Sequence, residues 1–159
     1  VFDDIITGVV IFTQYPYSDM VYINGRLKGF QQYMTGKSYS MHGMHIHASG
    51  DLRRGCHSVC EHFNPFNKQH GSLHDLNSHA GDLGNIIVNR NGSSEFTLET
   101  NKISLNDGIK NIIGRTLVLH SNQDDLGKGR KIDSKTKGHS GDKIACAIIG
   151  ISESSCYDY

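Results

Sequence analysis

Apolar residues along this chain gather in short clusters rather than in long helical periods. Runs at 9–12, 20–23, 41–47, 86–88, 96–98, 116–119 and 144–149 are rich in β-branched and aromatic residues and are parted by Gly, Asn and Asp. Such runs between turn signals predict strands. Asn91-Gly92 and Asp107-Gly108 are turn dipeptides. Asn24-Gly25 reads either as a turn or as a bulge inside a strand. The pattern predicts an all-β fold, an antiparallel sandwich or barrel. Two stretches break it. Residues 48–82 are rich in His, Asn, Gly and Ser, and residues 121–142 are charged and Gly-rich. Structureless loops of this length are uncommon and usually functional, and something must order them. No repeat or linker divides the chain, so one domain is expected over residues 1–159.

Composition narrows the class. With 36% apolar and 20% charged residues the chain is globular rather than disordered. No apolar run reaches membrane-spanning length. Lys plus Arg and Asp plus Glu both number 16, which gives no general attraction to nucleic acid or an anionic membrane. Val1-Phe2-Asp3-Asp4 is not a basic stretch leading into an apolar one, so no secretory leader is visible. A mature chain would already have lost one. A cytoplasmic setting is expected, with secretion left open.

Histidine changes the picture most. Of ten His, eight lie between His42 and His79, and imidazole is the commonest metal ligand. His45-Ile46-His47, on a strand, would turn both rings to one face and Ile46 to the other; alone, such a motif is more often incidental. His62, His70, His79 and Asp82 suit a closed tetrahedral zinc site. The bland reading is a polar loop with scattered His, but a long loop needs a staple and a metal supplies one. His120 ends an apolar run at the start of the second loop, the place for a ligand at a sheet's rim; by itself it would be a capping or core histidine. Together, six histidines and one aspartate predict two adjacent metal ions.

These residues, in order, resemble the copper–zinc superoxide dismutases. The matching segments are Gly43-Met44-His45-Ile46-His47, Gly55-Cys56, His62-Phe63-Asn64-Pro65, His70-Gly71 and His79-Ala80-Gly81-Asp82-Leu83-Gly84-Asn85. They continue with Ile112-Ile113-Gly114-Arg115-Thr116, His120, Asp124-Asp125-Leu126-Gly127-Lys128-Gly129 and Ala145-Cys146-Ala147-Ile148-Ile149-Gly150-Ile151. The resemblance implies that family's Greek-key β-sandwich or flattened barrel with two long functional loops. It implies copper on His45, His47, His62 and His120, and zinc on His62, His70, His79 and Asp82, with His62 bridging. An all-imidazole set suits Cu(II) and the set with a carboxylate suits zinc. Asp124 would join His45 to His70. His42 would bond backbone, and His57, His74 and His139 are expected to be non-ligands.

By the same resemblance superoxide is dismuted to dioxygen and hydrogen peroxide, with copper alternately reduced and reoxidised. His62 and Lys143 are the catalytic residues. Residues 121–143 carry six cations against four carboxylates, and steering of superoxide by such a field is a known property of this family. Lys143 stands where the family places arginine, and lysine lacks the planar fork that holds an anion twice. A Cys56–Cys146 disulfide is implied; in a cytosolic protein it would be an exception. Cys60 and Cys156 lie outside the pattern and either bridge or stay free. The usual homodimer patch, residues 48–51, 112–114 and 148–151, is present, with Ser49 where a larger apolar residue often packs, so a weakened homodimer is expected. A copper chaperone is a further expected partner. The family's N-terminal strand would precede residues 8–14, where this chain has only seven residues. That strand is expected to be short or missing, with the tail 152–159 over the edge left behind.

Overall fold

The computed structural model describes residues 5–34, 36 and 38–152. Eight strands follow one another: β1 (Thr7–Gln14), β2 (Val21–Lys28), β3 (Tyr39–His47), β4 (Arg53–Cys56), β5 (Asp82–Asn89), β6 (Ser93–Thr100), β7 (Thr116–His120) and β8 (Lys143–Ile148). One sheet has the order β1-β2-β6 and the other β5-β3-β7-β8, all pairs antiparallel. Neighbours such as β3 and β7 are remote in sequence, the crossing of a Greek key. Among the described residues the sheets do not close into a barrel, so of the two expected forms the fold is the sandwich.

Alternation drives the layering. Along β2, Val21, Ile23, Gly25 and Leu27 are buried while Asn24, Arg26 and Lys28 are exposed, the two-residue period of a half-buried strand. Its apolar face meets Met44 and Ile46 of β3, Ile86 and Val88 of β5, and Leu117 and Leu119 of β7 in one core. Asn24-Gly25 is neither turn nor bulge. It lies within unbroken register, with Gly25 opposite Phe96. A Cβ there would come 2.2 Å from the Phe96 ring, so the glycine makes room for an aromatic face.

The two loops hold short elements that periodicity did not show: β4 in the first, and in the second the four-residue helix α1 (Ser134–Lys137), stopped by Gly138 in the left-handed region (φ 64°). Regular pairing slips at two places, between Gly43 and His45 on β3 and between Leu119 and His120 on β7. Both slips fall beside histidines, and such irregularities re-aim side chains.

β1 pairs only with β2, and no strand precedes it among the described residues. Val9 and Ile11 lie half exposed along it. Residues 1–4 and 153–159, and with them Cys156 and most of the tail expected to cover this edge, lie outside the described residues.

Cys56 and Cys146, 90 positions apart in the chain, form a disulfide between β4 and β8. Closing a loop of that length restricts the unfolded chain by roughly 4–5 kcal/mol as an upper figure. Cys56→Ser is therefore expected to lower the unfolding free energy of metal-free protein by an amount approaching that value, read from urea titrations of both proteins.

Candidate metal centre

β3 presents His45 and His47, both buried, with Ile46 between them in the core. The first loop returns to this strand at both ends. Phe63 N donates to Ile46 O at 2.8 Å, Ile46 N to Gly81 O at 2.8 Å, and Gly81 N to Phe63 O at 2.9 Å. A Cβ on Gly81 would lie 2.3 Å from Ile46 O, so only glycine lets the backbones approach this closely. The result sets His62 and Asp82 beside His45 and His47. His120 joins them from the end of β7.

Asp82, fully buried, is the focus of one half. Its Oδ1 lies 2.9 Å from His62 Nδ1, 3.1 Å from His70 Nδ1 and 3.2 Å from His79 Nδ1. Its Oδ2 accepts the backbone N–H of Gly71 (3.1 Å) and His79 (3.0 Å). In the other half the rings of His45 and His62 stack with centroids 4.0 Å apart.

Among the described residues, three buried ring nitrogens, His45 Nδ1, His47 Nε2 and His120 Nε2, have no hydrogen-bond partner, and His70 Nδ1 meets only Asp82 Oδ1 at 3.1 Å. In each case the other nitrogen is engaged. His45 Nε2 and His70 Nε2 donate to the two oxygens of Asp124, at 2.7 and 2.8 Å. His47 Nδ1 donates to Cys60 O at 2.7 Å, and His120 Nδ1 to Gly141 O at 3.2 Å. Those bonds fix the tautomers of His45, His47 and His120 and leave three lone pairs in the interior, a costly arrangement unless they meet a cation. The candidate ligand atoms of His45, His47, His62 and His120 lie within 4.8 Å of one another, as do those of His45, His62, His70 and Asp82. His45 and His62 are common to both sets, and His79 reaches the second through Asp82. The donor set fits two metal ions.

The copper/zinc superoxide dismutase family model matches residues 6–149. The chain belongs to this family. It is 42% identical over 150 residues to "Superoxide dismutase [Cu-Zn] 5" of Dictyostelium discoideum, covering 94% of this chain and 93% of that protein. A crystal structure of the clock protein EA4 superposes with a TM-score of 0.86 at 39% identity, covering 95% of this chain and 91% of the other.

Around this superoxide dismutase centre the structure adds residues that the sequence did not single out. The backbone carbonyls of Cys60 and Gly141 orient His47 and His120. Asn85 braces Asp124 from both sides, its Oδ1 accepting Asp124 N at 2.7 Å and its Nδ2 donating to Asp124 O at 2.9 Å. No sequence signal marks a carbonyl; Asn85 sits at the end of a matching segment. Lys143, half-buried, donates to Cys60 O at 3.2 Å, so one carbonyl serves both a candidate copper ligand and the candidate anion-binding cation. His42 lies behind the site, its ring bonded to His120 O at 2.9 Å. His139 pairs with Asp133 at 2.9 Å on the surface, and His57 and His74 are exposed.

Titration follows burial and pairing. Desolvation, with the neighbouring His62 next, pushes His47 down to about 2 and His45 well below its ordinary value. Desolvation lowers His120 to about 4. Burial would also lower His70, but its bonds to Asp124 and Asp82 prevail and raise it to about 9. Burial opposes ionisation of Asp124, yet hydrogen bonds from His45 and His70 hold it at about 2. Replacing Asp124 by Asn leaves one acceptor where two donors converge. Partners of this kind are worth roughly 10–100-fold in metal affinity, so Asp124→Asn is expected to weaken metal binding by about that factor in a chelator-competition titration.

Proposed function

We propose that His45, His47, His62 and His120 hold copper, that His62, His70, His79 and Asp82 hold zinc, and that the chain acts as one domain. The enzyme is a copper–zinc superoxide dismutase. The observation that carries the residue assignment is His62, which belongs to both groups and sets its Nδ1 2.9 Å from Asp82 Oδ1, whereas the second nitrogen of His45, the other shared residue, is taken by Asp124. Bound copper supplies a one-electron couple, by which one superoxide is oxidised to dioxygen and another is reduced, with two protons, to hydrogen peroxide. Zinc is structural. His62 Nδ1 faces Asp82, which leaves Nε2 on the copper side to hold a proton and pass it to the peroxide. Lys143 binds the anion: its ammonium is held by Cys60 O, close enough to His47 and His120 to depress both. Rim charge on the second loop raises the encounter rate with the substrate.

The proposed partner is a second copy, through the apolar surface at Ile148 and Ile151, 49% and 86% exposed, with Ser49 weakening the contact. A copper chaperone is proposed for loading. No helix among the described residues is long and apolar enough to cross a membrane, and the proposed compartment is the cytoplasm.

Metal analysis combined with a superoxide-consumption assay, before and after copper addition, tests this reading. Zinc-loaded protein is expected to be inactive until copper is added, and His120→Ala to stay inactive; an inactive wild type holding both metals would overturn it. Because a guanidinium can bind an anion through two parallel hydrogen bonds, Lys143→Arg is expected to raise kcat/KM in the same assay.

A further inference from the structure

The loop between His70 and His79 has no helix or strand of its own, yet its two ends supply candidate zinc ligands. Its ends are tied by the backbone N–H groups of Gly71 and His79 to Asp82. Its middle is tied to a residue far away in the chain. The Lys102 ammonium donates to Asp75 O and to Ser78 Oγ, and Ser78 Oγ donates in turn to Asp75 O at 3.1 Å. The Lys68 ammonium donates to Leu76 O beside them. Asp75, Leu76 and Ser78 are thus gathered by two ammonium groups, the last of them one residue before His79.

Lys102 stands on rigid ground. It follows β6, its backbone N–H is held by Thr100 Oγ1 at 3.2 Å, and the next residue, Ile103, is buried in the core. Among the described residues no carboxylate lies at ion-pair distance from its ammonium, which is half-buried and spends its donors on the loop. A lysine in that position is not a solvated surface charge. It anchors the loop to the opposite sheet independently of any metal.

We propose that Lys102 is a positioning residue for zinc, clamping the 71–79 loop so that His70 and His79 stand in place before the ion arrives. This rests on the assignment of zinc to His62, His70, His79 and Asp82. Ordering a loop opposes binding when it must occur at the binding step; a clamp anchored in the core moves that ordering to the folding of the metal-free chain.

The test measures zinc affinity of copper-free protein by competition with a chromophoric chelator, alongside the melting temperature of the metal-free form. Lys102→Met keeps the stem and removes the charge. It is expected to weaken zinc binding about tenfold, in line with supporting partners of metal ligands. Lys102→Arg should recover part of that loss, and amides 72–78 should exchange faster in metal-free Lys102→Met. Ser78→Ala, which removes one acceptor of the clamp, should give a smaller loss and serves if Lys102→Met does not fold. Unchanged zinc affinity in the folded variants, with or without a lower melting temperature, overturns the clamp. Asp82→Ala is the control: if it binds zinc as tightly as wild type, the zinc assignment itself fails and the clamp falls with it.

Discussion

Two buried carboxylates, Asp82 and Asp124, hold the metal centre together, and neither could stay there without imidazole. A carboxylate taken out of water is costly unless partners replace the lost hydration. Asp82 has three histidines at Oδ1 and two backbone N–H groups at Oδ2. Asp124 divides its oxygens between His45 and His70 and so couples the two halves of the histidine cluster. The same bonds decide which nitrogen of each ring points inward. Acid and base thus solve each other's burial problem, and the geometry left over is a pair of nests for cations.

The sandwich beneath serves that arrangement. β3 lies between β5 and β7, so the strand carrying His45 and His47 has the return of the first loop on one side and His120 on the other. The slips in register at His45 and His120 turn rings that a regular pleat would leave elsewhere. The disulfide fixes the short strand β4 to β8, and the segment that follows offers the Cys60 carbonyl to both His47 and Lys143.

Much of this was legible in the order of residues. The alternation around Ile46 announced a strand with two histidines on one face, and the strand-poor stretches 48–82 and 121–142 announced loops in need of a staple. What stayed hidden shares a physical cause: it depends on who meets whom across long separations. The carbonyls of Cys60 and Gly141 have no side-chain signature. Lys102 looks like any lysine after a strand until the 71–79 loop folds over it. Gly25 read as part of a turn or a bulge because the Phe96 ring that requires it lies more than seventy positions away. Within the loops, β4 and α1 are too short for periodicity to show.

The hydrogen bonds of Asp124 to His70 and His45 span 54 and 79 residues. Contacts of that reach form only after the intervening chain has been gathered in, which makes such topologies slow to fold. During synthesis, a ribosome that has emitted both strand histidines and the whole first loop has still not emitted the residue that orients two of their rings. A nascent chain therefore cannot present the finished pair of cation sites, and metal capture in its mature form is deferred until Asp124 has emerged.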